Sequence, residues 1–413
     1  MEIKSQHTNI LILGAGIGGY ETFRTLSKLL KKHGLNQVIT IVDRNNYFTF
    51  TPLLHEVASG AVEPSHCALP LREIIYKTPH KFIKADVQKI DPEKKVVTTS
   101  AGDIAYDYCV MSLGSGVNFL GVPGATEHCY TVRTLDEAMR LREMIIKKLE
   151  DTRNITAITV VGGGFSGVEV AGQLAHLIKR DFKKLYPNDT VMISLVESGK
   201  TILPQAPLKA QQNILRRLAK MGVTVRLGTV AKEVAASSVL LGSGIRIQSD
   251  ITVWCAGVSN VAERFLPREY CERGRLPVMA SLLSAKADTL YGVGDVILGH
   301  NVGSDAPFFP QLGEAAHRQG EYVARHITDR LSGKLTRPFF FKSKGLLMPI
   351  GERYGVAIFG KVIITGLLAW WLRRTVYVLF MPGLIFKFKL VIDWTLRLFG
   401  FSYIISIERN KKN

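Results

Sequence analysis

Two glycine fingerprints, Gly14-Ala15-Gly16-Ile17-Gly18-Gly19 and Gly162-Gly163-Gly164-Phe165-Ser166-Gly167, each follow a short apolar run that reads as a strand, Asn9 to Leu13 and Ile155 to Val161. A glycine run at the point where a buried strand turns into a helix lets a pyrophosphate approach backbone N–H groups and a helix N-terminus. In each half the next predicted strand ends on an acid, Asp43 after Val38 to Val42 and Glu197 after Val191 to Val196. A carboxylate there accepts hydrogen bonds from ribose hydroxyls. The intervals from first glycine to acid, 29 and 35 residues, exceed the usual spacing and imply longer helices and turns. One such motif is weak evidence. Two complete units, each with strand, glycines, helix, strand and acid in order, predict an α/β chain with two Rossmann-like dinucleotide-binding domains. Gly14 and Gly162 suit the tight turn, Gly16 and Gly164 the approach of phosphates, and Gly19 and Gly167 the close packing of helix on strand.

At 413 residues the chain can hold two or three cores, and its 46% apolar content is compatible with two nucleotide domains plus an appendage. The first domain is read as residues 1–124 continued by 276–333, with 125–275 inserted as the second domain and 334–413 as a separate C-terminal region. Phe82 to Val87 and Lys95 to Thr99 read as strands flanking the turn Asp91-Pro92-Glu93. Asp107 to Gly114, Ile251 to Gly257 and Leu290 to Val296 read as further strands, the last returning to the first domain. Asp295, at that strand's end, can hold a ribityl hydroxyl of a flavin or cap a helix.

The net charge of +18 is concentrated late, because from Lys334 to Asn413 there are 14 Lys and Arg against three acids. That region is also strongly apolar and lacks a nucleic-acid-binding signature, so an anionic lipid surface is the expected partner rather than nucleic acid. Val356 to Leu372 contains one charge in seventeen residues. As a helix it would reach about 25 Å, too short to span a bilayer. Beyond Pro382-Gly383 the pattern is amphipathic, with Lys389, Asp393 and Arg397 on one stripe and Leu390, Val391, Trp394, Leu398 and Phe399 on another. Trp370, Trp371 and Trp394, with Arg373 and Arg374, suit a helix lying at headgroup level. A buried helical subdomain or a dimer interface would also use such a tail.

Five cysteines, at 67, 109, 129, 255 and 271, show no metal-binding or CxxC spacing, which points to reduced thiols and no metal site. Met1 to His7 runs directly into the first strand and leaves no targeting segment, so the cytoplasm is the expected compartment.

The chain resembles the type II NADH:quinone oxidoreductases nearly end to end. Beyond the fingerprints, the likeness rests on Tyr47 to Gly60 (YFTFTPLLHEVASG), Val253 to Val258, the Gly-Val-Gly-Asp stretch ending at Asp295, Lys344 to Gly351 and Gly366 to Leu372. The resemblance implies FAD in the first domain, around Gly14, Gly16, Gly19, Asp43 and Asp295, and NADH in the second, around Gly162, Gly164, Gly167 and Glu197. Further cofactor contacts are expected at Ala15, Gly18, Arg44, Val87, Gly114, Phe165, Ser166 and Gly257. It implies a quinone bound near Gln311, Glu314 and Lys344, peripheral attachment at the cytoplasmic face of the membrane, and a reaction that pumps no protons. Glu169 is expected to relay protons or bind nicotinamide, and Glu314 to act near the acceptor; either can instead be an ordinary surface carboxylate. The family usually has Ala-Gln where this chain has Gly313-Glu314, which alters charge near the quinone. Glu197 favours NADH over NADPH by repelling a 2′-phosphate, although Lys200 lies nearby. Alternatives of the same fold are a sulfide:quinone oxidoreductase, which needs paired cysteines including a late one that this chain lacks, an NADPH-dependent quinone reductase, and a non-catalytic redox sensor.

Overall fold

The computed structural model describes residues 9–151, 155–301 and 307–399. The described residues fall into two compact units, one made of residues from 9–50, 68–116 and 258–343, the other from 51–67, 117–257 and 344–399. Residues 344–399 group with the second unit, and so do 51–67.

The first unit is built on an eight-stranded sheet. Its parallel centre runs Lys81–Lys84, Val38–Asp43, Asn9–Leu13, Tyr108–Met111 and Ala287–Gly292. Ile10, Leu11, Ile12 and Leu13 are all fully buried, the run of consecutive apolar residues that a parallel strand covered on both faces requires. The strand expected from Leu290 to Val296 thus returns to this sheet, ending at Gly292, and Asp295 lies in a single turn, Gly294–Val296, just beyond. The expected strand from Phe82 to Val87 is two strands: Lys81–Lys84 joins the parallel sheet, and Val87–Asp91 starts an antiparallel meander with Val96–Thr99 and Gly102–Ala105. The chain changes sheets at Ala85 and Asp86, a break that periodicity alone does not show.

The second unit has a five-stranded parallel sheet ordered Cys129–Tyr130, Ile251–Trp254, Ile155–Val161, Thr190–Val196, Val223–Arg226. Helix Phe165–Leu177 continues through a π turn, Ile178–Phe182, into Lys183–Leu185, which accounts for the long interval to Glu197.

The tail departs from expectation in two ways. Val356 to Leu372 is mostly a hairpin, Gly355–Phe359 paired with Val362–Gly366, and a helix starts only at Leu367. Val356, Ile358, Val362, Ile363, Ile364 and Thr365 are β-branched, and Gly360 turns the chain at φ +56°. The second departure concerns helices Leu367–Phe380 and Leu384–Leu398, whose charged stripes face inward. Arg373, Asp393 and Arg397 are each 1% exposed, whereas Leu384, Ile385, Phe388, Val391, Ile392, Leu396 and Phe399 are exposed. Of the three tryptophans only Trp371 reaches the surface; Trp370 and Trp394 are buried around Arg374, whose guanidinium lies 3.6 Å from the Trp370 ring centre and 4.7 Å from that of Trp394. Partners from distant segments reverse the pattern: Asp393 accepts a hydrogen bond from Glu63 N–H and pairs with His66 at 2.7 Å, and Arg397 pairs with Glu352 and with Asp181. Among the described residues, no helix is long and apolar enough to cross a membrane.

Candidate active site

The two glycine turns are built alike. Gly14 has φ +89° and Gly162 φ +108°, conformations that a side chain would strain. A β-carbon on Gly19 would lie 2.0 Å from the Gly14 carbonyl oxygen, and one on Gly167 would lie 1.8 Å from that of Gly162, so helix and turn approach too closely for any other residue. Gly16 and Gly164 have open space instead, with nothing within 4 Å of the added carbon. Each turn therefore combines a closed side, which fixes the backbone, with an open side where amides and a helix N-terminus face outward. This arrangement fits a pyrophosphate.

Both predicted acids bind the middle residue of their own turn. Asp43 accepts the Ala15 N–H at 2.6 Å and the Asn45 N–H at 2.7 Å, while Glu197 accepts the Gly163 N–H at 2.5 Å and the Gly199 N–H at 2.6 Å. A carboxylate has about four lone-pair positions, so two amides leave room for ribose hydroxyls. Burial pushes the Asp43 carboxyl up, and the two amides only partly offset this.

In the first unit, Asp295 accepts from Ser115 Oγ at 2.6 Å, and Gln311 Nε2 donates to its carbonyl at 3.0 Å. Asp295 lies inside its turn, whose N-cap is Val293, so it is not the capping residue there. Gly18 is buried in the helix wall, Gly114 sits in open space at φ +68°, Val87 is half-buried and Arg44 is exposed. Glu314 opens helix Gly313–Leu331, 3.3 Å from Arg318 and accepting from Ser343 Oγ at 2.9 Å. The carboxylate that replaces the family's usual amide thus comes with a cation one turn on. In the second unit, Phe165 and Ser166 begin the helix behind the turn, Gly257 has φ +75°, and Lys344 is exposed.

Also in the second unit, Glu169, one turn into helix Phe165–Leu177, lies 3.6 Å from His55 Nδ1. His55 and Glu56 occupy helix Leu54–Ala58, and Arg373 reaches them from the tail helix Leu367–Phe380. It donates to Glu56 Oε1 at 2.6 Å and Pro52 O at 3.3 Å, contacts His55 Nε2 at 3.2 Å, and packs 4.2 Å from the Tyr377 ring centre. Trp394 Nε1 donates to the other Glu56 oxygen at 2.8 Å. Because a guanidinium has no lone pair, His55 Nε2 is the acceptor and the ring proton sits on Nδ1, facing Glu169.

Burial lowers His55 to about 3, helped by Arg373, so the ring is neutral at any ordinary pH. Burial alone would raise Glu56, but Arg373, His55 and Arg374 outweigh it and keep the carboxylate charged. Glu169 goes the other way: burial pushes it up to about 8, with Glu56 adding to the shift and Arg373 opposing it. Its side chain is 17% exposed, so a carboxylic acid that is protonated at neutral pH keeps one edge open. A carboxyl in this state can donate its proton as a general acid does.

The sequence reading singled out Glu169 but assigned Arg373 and Trp394 to a lipid surface and gave His55 and Glu56 no role. The available signal was two adjacent ionisable residues inside the apolar run Leu53, Leu54, Val57, Ala58.

The chain is similar to curated type II NADH:quinone oxidoreductases from Staphylococcus saprophyticus, 27% identical over 84% of this chain and 89% of that one, and from Haemophilus influenzae, 28% identical over 83% and 85%. Its fold is similar to that of NDH2 from Plasmodium falciparum, solved in complex with NADH (TM-score 0.86, 19% identity, 97% of this chain and all of the other). It is also similar to that of the sulfide:quinone oxidoreductase from Aquifex aeolicus (TM-score 0.74, 19% identity, 90% of each). The family model described as pyridine nucleotide-disulphide oxidoreductase matches residues 8–320, and the chain therefore belongs to that family.

Proposed function

We propose that this chain is a type II NADH:quinone oxidoreductase, a peripheral membrane enzyme that oxidises NADH and reduces a membrane quinone without pumping protons. The observation that carries the reading is the combination in one chain of two glycine cradles of the same build with the protonated, partly open Glu169. FAD fits the first cradle, with pyrophosphate at Gly14, Ala15, Gly16 and Gly19, ribose at Asp43 and the ribityl chain at Asp295. NADH fits the second, with Gly162, Gly164, Phe165, Ser166 and Gly167 at the pyrophosphate and Glu197 at the ribose. A flavin held there would supply the hydride-accepting chemistry that links nicotinamide oxidation to two-electron reduction of the quinone.

The protein's own residues bind, orient and protonate. Glu197, with both oxygens engaged by backbone amides, places a fixed negative charge where NADPH would carry its 2′-phosphate. Glu169 holds a proton at neutral pH for delivery to the acceptor, and Arg373 stabilises the carboxylate left behind. Gln311, Glu314 and Lys344 are assigned to the quinone, with Arg318 offsetting the Glu314 charge. The exposed apolar faces of the two tail helices rest on the cytoplasmic surface of an anionic bilayer, and the same faces can join two copies into a homodimer.

The fold alone does not separate this reading from sulfide oxidation. The thiols favour this reading, because the five cysteines are free and burial pushes Cys129 and Cys255 up to about 12, away from the thiolate that sulfur transfer needs. Anaerobic stopped-flow mixing tests the proposal. NADH should bleach the flavin absorbance faster than NADPH, sulfide should not bleach it, and a soluble quinone should restore it. Bleaching without recovery on quinone would defeat the assignment of the acceptor.

A further inference from the structure

The second unit has a cavity of about 520 Å³ where helices Leu208–Lys220 and Leu384–Leu398 end beside the π turn Ile178–Phe182. These two C-termini bring carbonyl oxygens and partial negative charge, which cations offset. Two arginines do this at the end of Leu384–Leu398, Arg180 donating to Arg397 O and Arg353 to Leu398 O at 3.5 Å, while Arg217 is engaged by Ile350 O and Glu352 O at 3.4 and 3.2 Å. The single carboxylate lining the cavity, Glu352, is saturated by Arg397, Arg180 and His176.

Two lysines remain. Lys179, from the π turn, and Lys220, from the last turn of its helix, line the cavity, are exposed, and make no ion pair among the described residues. Leu398 and Phe399 also line the cavity and make part of its wall apolar. Phe399 is 78% exposed and continues a row of exposed Ile385, Phe388, Ile392 and Leu396 along the outward face of the last helix. Uncompensated positive charge thus adjoins an apolar stripe.

From this geometry we infer that the cavity is a specific site for the phosphate of an anionic phospholipid. Lys179 and Lys220 give charge-assisted hydrogen bonds to the phosphate oxygens, and the acyl chains lie along the Ile385 to Phe399 row. The inference rests on the membrane attachment proposed above and names one lipid class and one place for it. Free phosphate shares the head chemistry but leaves the apolar row without an occupant.

The test compares the full-length Lys179→Gln/Lys220→Gln variant with Lys31→Gln/Lys32→Gln, which removes the same charge from an exposed helix end in the other unit. Flavin content and NADH-dependent bleaching check that both variants fold. Sedimentation is measured with vesicles of phosphatidylcholine alone and with vesicles containing about one quarter phosphatidylglycerol. The K179Q/K220Q protein should lose about tenfold in affinity for the anionic vesicles and nothing on phosphatidylcholine, and the control should lose less than about threefold. Equal losses in the two variants would overturn the site. Absence of all vesicle binding by the wild type would instead overturn the membrane reading beneath it. Calorimetric titration of the detergent-dispersed protein with inorganic phosphate separates the sources: micromolar binding that K179Q/K220Q abolishes would reassign the cavity to soluble phosphate.

Discussion

Glu169→Gln is the substitution that tests the acid site most directly. A carboxyl that titrates at about 8 is about nine-tenths protonated at pH 7 and about one-tenth at pH 9. A proton-delivery step that depends on it should therefore be nearly flat below pH 7 and fall about tenfold by pH 9. His55 is held neutral far below this range and contributes no inflection of its own. The assay is reoxidation of pre-reduced enzyme by excess soluble quinone, followed at pH 6 to 9.5, with reduction by NADH measured in parallel as the half that does not use this proton. In Glu169→Gln the inflection should disappear while NADH reduction keeps its rate. Arg373→Gln supplies a second check, because Arg373 opposes the upward shift and its loss should move the inflection to higher pH. An inflection near 6.5, or one near 8 that persists in Glu169→Gln, would refute the assignment.

Gly19→Ala should express without flavin, because the new β-carbon meets backbone at 2.0 Å, whereas Gly167→Ala, with a clash at 1.8 Å, should retain flavin absorbance yet fail to bleach with NADH; absorbance spectra read both. Glu314→Gln removes a carboxylate from beside the proposed acceptor while leaving Ser343 an oxygen to donate to, and should speed reoxidation by quinone about fivefold without changing reduction by NADH. Burial alone would raise Glu352, but His176, Arg397 and Arg180 outweigh it and hold the carboxyl at about 2. The folded value lies below the ordinary 4.5, so this carboxylate's contribution to stability is complete above about pH 4.5 and is lost as the pH falls towards 2; proteolysis of the tail from pH 6 to 3 should show it, and Glu352→Gln should abolish that dependence. Arg397→Met leaves Glu352 and Asp181 without their shared cation and should cost about 3–5 kcal/mol, with most of it restored in R397M/E352Q/D181N, as thermal inactivation would report.

The nucleotide units were legible in the sequence because their signals are local. A strand, a glycine turn, a helix start and an acid after the next strand lie within one βαβ segment, and Ala15 N–H to Asp43 repeats as Gly163 N–H to Glu197 without help from elsewhere. The tail was misread because its determinants are far apart. Asp393 pairs with His66, Arg373 with Glu56 and Arg397 with Asp181, separations of 327, 317 and 216 residues. A periodicity argument assigns charges to water unless a buried partner is known, and here it placed the stripe on the wrong face. The hairpin at Gly355–Gly366 was lost for a simpler reason. Length and charge alone describe its nearly uncharged run as a helix too short to span, whereas its β-branched residue types favour a strand.

The inward charges also explain how the outward face is fixed. A helix that is apolar all round has no preferred rotation, because any stripe can pack against an apolar core. Leu384–Leu398 is close to that case, with apolar residues at most positions on both sides. Turning it by one residue, about 100°, would pull Asp393 away from His66 and Arg397 away from Glu352 and Asp181, leaving buried charges without partners. Burying ion pairs gains little over burying leucines, so their contribution here is to the choice of rotation more than to net stability. With the rotation set, Ile385, Phe388, Ile392, Leu396 and Phe399 are held outward as one continuous row. Arg373 does the same for the preceding helix through Glu56, and in doing so ties the outward apolar surface to the groups that set the protonation of Glu169.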